Sequence, residues 1–190
     1  TATGFGPALR IAAYNGSAWS QVGNGLGSVS LGSARVECLL PQGPDLYAAG
    51  VFAVPGSSTQ SIARWDGAAW QPMGPGLGTS ENHAVRALAI YNGEVYAAGS
   101  LYLPPASSMS VARWDGTAWL PIAQQGIVYA LAAHDGGLYA AGSFSSIGGV
   151  PATNLARWDG QAWSAVAGGV AGTVNRLQAR DGGLDVGGTF

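Results

Sequence analysis

With 190 residues, a formal net charge of -2 and only 9% charged side chains, the chain lacks the basic field of a nucleic-acid binder, so nucleic acid is excluded as a partner. Its single cysteine, Cys38, rules out an intrachain disulfide, and no apolar run approaches the roughly 18 residues of a spanning helix, so membrane insertion is not expected. The length suffices to bury a core without staples, roughly 70% of the unfolded surface at this size.

Residues 1–23 contain two short apolar runs, ALRIAAYNG and SAWSQVG, joined by Asn15-Gly16. Residues 34–74 hold four such runs, and so do residues 84–123 and 127–167; residues 173–190 hold two. The runs repeat. IARWDGAAW, VARWDGTAW and LARWDGQAW follow a degenerate first copy, IAAYNGSAW, and DLYAAGVF, EVYAAGSL, GLYAAGSF and GLDVGGTF alternate with them. Two motifs that keep one common period define one supersecondary unit, copied four times along a single domain of residues 1–190.

Each complete unit reads as four short strands, A to D. Strands A and B are joined at Asn92-Gly93, Asp135-Gly136 and Asp181-Gly182, and strands C and D at Asp66-Gly67, Asp115-Gly116 and Asp159-Gly160. Asn-Gly and Asp-Gly between apolar runs predict two-residue hairpin turns, because both central residues of a type I′ turn have positive φ. No segment has helical periodicity. The unit is therefore a four-stranded antiparallel meander with two apolar faces. Such a sheet must stack on its neighbours, and a β-propeller is the architecture that does so around an axis. Trp65, Trp114 and Trp158 are expected at equivalent sites, as are Trp70, Trp119 and Trp163, packed between successive units.

The alternation of a small-residue strand end with Arg-Trp-Asp and a closing Trp resembles the kelch or galactose-oxidase central-domain repeat. All four units carry the resemblance; three have Ala-Ala-Gly where kelch has Gly-Gly, and Gly187-Gly188 matches the family form. The resemblance implies a β-propeller of four blades whose innermost strand is A, and it implies protein or carbohydrate partners. Because the chain opens with strands C and D and ends with A and B, the two ends are expected to close as one shared blade. That gives a four-bladed ring, or eight blades if two chains pair as a homodimer. The start, TATGFGPALR, lacks a signal peptide and begins at Thr1, so processing or excision from a longer chain is expected. Few charges and 31 glycines suit a secreted or cell-surface protein.

Sites show themselves where repeat symmetry breaks. Aligned on the turn glycines, the A strands place Val36, Arg86, Tyr129 and Asn175 at one position and Glu37, Ala87, Ala130 and Arg176 at the next. These two positions bring in the polar residues Arg86, Tyr129, Asn175, Glu37 and Arg176 among uniform apolar neighbours. With A innermost they line the mouth of an axial channel beside Glu81, Asn82 and His83, where they either hydrate the channel or form a ligand pocket on the face of the long B-to-C loops. The same alignment puts Cys38 at the position of Leu88 and Leu131, as a small core residue. Arg64, Arg113 and Arg157 precede a Trp in three units and read as structural partners of a carboxylate, carbonyl or indole.

Enzyme chemistry finds no motif. His83 and His134 stand without Cys or carboxylate at metal-ligand spacing, so neither a metal nor another cofactor is expected. The leading expectation is a non-catalytic binding or scaffolding domain. The alternatives are a lectin using Tyr102, Tyr129 and Asn175, and a glycan-active hydrolase or lyase. The last needs two carboxylates roughly 5 to 9.5 Å apart, for which Glu37 and Glu81 are the candidates.

Overall fold

A computed structural model describes residues 9–27, 34–80, 82–103 and 107–190, and these contain no helix. The chain opens with β1 (Ala12–Tyr14) and β2 (Trp19–Gln21), a two-stranded antiparallel sheet. The first complete unit is β3 (Arg35–Gln42), β4 (Asp45–Ala53), β5 (Gln60–Trp65) and β6 (Trp70–Pro72). The second is β7 (Ala84–Tyr91), β8 (Glu94–Leu103), β9 (Ser107–Trp114) and β10 (Trp119–Ala123). The third comprises β11 (Ile127–His134) and β12 (Gly137–Ser143), a small hairpin of β13 (Ser146–Ile147) and β14 (Val150–Pro151), then β15 (Leu155–Trp158) and β16 (Trp163–Ala165). The chain ends in the pair β17 (Thr173–Arg180) and β18 (Gly183–Thr189). Each complete unit is a four-stranded antiparallel sheet with strands in sequence order, the predicted meander.

The three complete sheets carry buried apolar residues on both faces. One apolar cluster joins β1–β2 to the first complete sheet through Ile11, Leu26, Ala48 and Trp70. A second joins the first and second sheets, a third joins the second and third, and a fourth joins the third to β17–β18. In the Ala-Ala step of strand B, Ala48 faces back and Ala49 forward, as do Ala97 and Ala98. Small residues on both faces let neighbouring sheets approach at this strand, while Trp and Tyr fill the wider space further out.

A hydrogen-bonded latch repeats at the first three of these four joints. The indole Nε1 of Trp70 donates to the Val22 carbonyl at 3.1 Å, that of Trp119 to Met73 at 3.1 Å, and that of Trp163 to Ile122 at 2.9 Å. Each acceptor lies three residues beyond the closing Trp of the preceding unit, so each complete unit hooks the one before it. Trp65, Trp114 and Trp158 tilt against these indoles at centroid distances of 5.2 to 5.5 Å.

Two of the three A-to-B turns follow expectation, since Asn92 and Gly93 have φ of 51° and 80° and Asp135 and Gly136 have 45° and 65°; at Asp181-Gly182 only the glycine has positive φ, 74°. The C-to-D turns do not follow it. Trp65 pairs with Trp70, so the connection is a four-residue loop, and only its glycine has positive φ. The aspartate is there for its side chain. Asp66 Oδ1 accepts from the amides of Ala68 and Ala69 at 2.9 and 2.8 Å, as Asp115 and Asp159 do in their loops, and Asn15 makes the same bonds with its amide oxygen.

The amides of Ala69 and Ala68 hold the Asp66 carboxyl down to about 2, from an ordinary value of 3.8. The folded state thus favours the carboxylate, and this contribution is present above the ordinary value and lost as pH falls through about 2. Asp66→Asn should keep the loop without that titration. Urea denaturation at stepped pH should show the wild type losing stability relative to Asp66→Asn below 3.8, and parallel pH profiles would contradict the assignment.

The repeated arginines are structural. Arg64 pairs with Asp45 at 3.5 Å, Arg113 with Glu94 at 3.0 Å, and Arg157 donates to the Gly136 carbonyl at 3.2 Å. Their exposure keeps each contribution small.

One expectation is corrected here. The two ends do not share a sheet: β18 has β17 as its neighbour, β1 has β2, and no hydrogen bond joins β18 to β1 among the described residues. Each pair is instead held by its own sequence neighbour, β1–β2 by the Trp70 latch and β17–β18 by its apolar packing on the third complete sheet.

Candidate functional site

The four A strands share one irregularity. In the pairing of β3 with β4 the register passes from Val36 to Cys38, in β7 from Val85 to Ala87, in β11 from Val128 to Ala130, and in β17 from Val174 to Arg176. The skipped residues are Glu37, Arg86, Tyr129 and Asn175. Each is the extra residue of a β-bulge, and a bulge turns the side chain it carries away from the regular alternation.

A glycine lies opposite each bulge. A Cβ at Gly50, Gly99, Gly142 or Gly188 would overlap the carbonyl oxygen of Arg35, Ala84, Ile127 or Thr173 respectively. The A-strand backbone kinks into the space a side chain would need, which gives the invariant end of the Ala-Ala-Gly motif its physical reason.

The bulges deliver their side chains to a common place. A cavity of about 900 Å³ is lined by Glu37, Arg86, Tyr129, Asn175 and Arg176, with Cys38, Leu88, Leu131 and Leu177 among its apolar lining. The bulges stand at the start of strand A, the end of each sheet that also carries the B-to-C connections. The Arg86 guanidinium lies over the Tyr129 ring, 5.5 Å from its centroid, and so couples the second and third units across the cavity. Glu37 accepts from Arg35 at 2.5 Å, and Arg176 donates to the carbonyl of its neighbour Asn175 at 2.8 Å. Burial, then the charge of Glu37, pushes the Cys38 thiol up to about 12, so it is protonated and a poor nucleophile at neutral pH.

The structure shifts the expected register of the first unit by one residue. Gln42 pairs with Asp45 around Gly43-Pro44, and Gly43, with φ of 56°, takes the place of Asn92 rather than of Gly93. Glu37 therefore matches Arg86, Tyr129 and Asn175, whereas Val36 matches Val85. By the same shift Cys38 matches Ala87, Ala130 and Arg176, not Leu88 and Leu131; Leu39 holds that position.

Asn82 and His83 do not join the cavity lining. The His83 ring stacks on Tyr102 at 5.0 Å, and its Nδ1 sits 3.2 Å from the Ser80 hydroxyl, which fixes it in the connection between β6 and β7. Tyr102 lies on the β8–β9 extension and is not part of the cavity lining. Glu81 lies outside the described residues. Sequence reasoning overlooked the aliphatic part of the lining, Leu88, Leu131 and Leu177; their recurrence two residues after each bulge was the available signal.

Among the described residues no group of three His, Cys, Asp or Glu side chains is placed to hold a metal. Compared with known proteins, the chain matches no family model and no curated protein sequence.

Proposed function

We propose that the chain is a non-catalytic binding module of β-propeller type, kelch-like in its repeat, that engages a protein or glycan partner through the cavity at the A-strand bulges. The observation that carries this reading is the delivery of four different side chains, Glu37, Arg86, Tyr129 and Asn175, from one repeated backbone position to one cavity. A scaffold that holds its backbone constant and varies only the side chain presented there separates architecture from recognition. Convergent polar groups over an aliphatic floor are the usual form of a binding site.

The reading as a glycan-cleaving enzyme has less support. Glu37 is the one carboxylate among the described residues of the lining, and it is already paired with Arg35. Placement on an exported or cell-surface protein is part of the proposal, and it rests on the low charge and high glycine content.

The test is a glycan array probed with labelled wild type, Tyr129→Ala, Arg86→Ala and Tyr102→Ala, each checked for unchanged circular dichroism. Binding should fall at least tenfold in the first two variants, roughly 1.4 kcal/mol, and persist in Tyr102→Ala. Binding that survives both cavity variants would overturn the assignment.

A further inference from the structure

The arginines of the chain divide into two groups. Arg35, Arg64, Arg113 and Arg180 pair with carboxylates, and Arg10 and Arg157 donate to backbone carbonyls distant in sequence. Arg86 and Arg176 are left. The Arg86 guanidinium has no ion-pair or hydrogen-bond partner among the described residues, and Arg176 donates only to the carbonyl of its own neighbour, Asn175. Both line the cavity at the A-strand bulges.

The lining does not neutralise them. Glu37 is its one carboxylate among the described residues, and that group already accepts from Arg35 at 2.5 Å. The cavity is thus cationic inside a chain whose formal net charge is -2, and a concavity lined by one sign of charge concentrates the opposite sign. Arg86 is the better placed of the two cations. It stands on β7 and Tyr129 on β11, strands of two complete sheets that each have a packed neighbour on either side. The Tyr129 ring holds the guanidinium, 5.5 Å from its centroid, through a contact that uses the charge and none of the N–H donors. Those donors form a planar fork that matches a carboxylate, and a side chain held in advance loses less freedom on binding.

Two features select a sugar acid over an acidic peptide. Strand A is the edge strand of each complete sheet, the place where an extended peptide would add. The bulges at Glu37, Arg86, Tyr129 and Asn175 break that edge at the cavity, so a peptide main chain finds no continuous ladder to join. The second feature is the company the cations keep. Asn175 offers both a donor and an acceptor, Tyr129 a hydroxyl, and Leu88, Leu131 and Leu177 an apolar floor. A pyranose presents hydroxyls around its rim and C–H groups on its faces, and this lining answers both. A cavity of about 900 Å³ has room for a short oligosaccharide.

We propose that the cavity binds a uronic-acid unit of an acidic glycan. The sugar carboxylate pairs with the Arg86 guanidinium, with Arg176 as a second cation, and the sugar hydroxyls bond to Asn175 and Glu37. The role of the cavity as a binding site is the premise here, and the carboxylate is what is added to it.

Calorimetric titration with short oligomers of galacturonate, mannuronate and glucuronate, each beside its neutral methyl ester, tests the assignment. The wild type should bind at least one acid about tenfold more tightly than its ester, and raising sodium chloride from about 50 to about 500 mM should weaken that binding. Arg86→Gln, which keeps a hydrogen-bonding head but loses the charge, should bring acid and ester within about twofold, with an unchanged far-ultraviolet spectrum. Tyr102→Ala should leave the preference for the acid intact. Esters bound as tightly as acids, with binding lost in Tyr129→Ala, would overturn the uronate assignment and leave the cavity a site for neutral glycans. An aspartate-rich peptide bound more tightly than every acid would overturn it in favour of a protein partner. Acids that do not bind at all, or a preference for them that persists in Arg86→Gln, would overturn it equally.

Discussion

Trp119→Ala should destabilise the chain by about 3 to 5 kcal/mol, the range for emptying a buried Trp site. The indole fills the joint between the first and second complete sheets, in contact with the cluster that contains Met73, Leu77 and Leu88. Its removal leaves a cavity walled by two sheets that are each held by their own strand pairing, so neither can collapse into it. The lost bond to Met73 matters less, because that carbonyl keeps the Gly76 amide. Urea denaturation followed by circular dichroism checks the figure. Trp19→Ala supplies the contrast, since the same residue type at the same repeat position is exposed and should cost far less in a dilute chain. Equal losses in the two variants would mean that the closing Trp acts within its own unit rather than between units.

The repeat was legible because stacking imposes it. A sheet buried on both faces needs small residues where sheets approach and large ones where they diverge, so Ala-Ala-Gly and the paired tryptophans had to recur. The number of units, their strands and the equivalence of the tryptophans all follow from that single demand. Hydrogen-bond register was less legible. Gly43 looked like the partner of Gly93 because both are turn glycines, yet the Pro44 that follows moves the turn by one residue, and the first A strand slides with it. The role of Asp66 and its equivalents was hidden because one residue type serves two purposes, positive φ in one turn and amide capping in another.

At the candidate site the sequence marked the right residues without the reason they converge. Arg86, Tyr129, Asn175 and Arg176 stood out as breaks in the repeat, and the cavity contains all four. The bulge that turns them inward is a property of backbone pairing, and its only trace in the sequence is the glycine across from it. Asn82 and His83 were placed there by proximity in sequence, which a turn between β6 and β7 undoes.

Gly142→Ala is the sharpest test of that bulge. The added methyl would overlap the Ile127 carbonyl, a backbone atom with no rotamer to escape through, so β11 must shift or lose its kink. Stability should fall by about 1 to 3 kcal/mol, the usual cost of forcing extra volume into a packed site. The displaced residue is Tyr129 itself, so its stacking with Arg86 should loosen, visible as a change in the tyrosine ring resonances. Gly187→Ala is the matched control. At that position the other three units already carry Ala49, Ala98 and Ala141, and the nearest neighbour of an added Cβ is the Arg176 Cβ at 3.9 Å, an ordinary contact. The substitution should be neutral or slightly stabilising, because it also restricts the unfolded chain. If Gly142→Ala were as benign as Gly187→Ala, the glycine would not be holding the bulge, and the common origin of the four cavity side chains would fail with it.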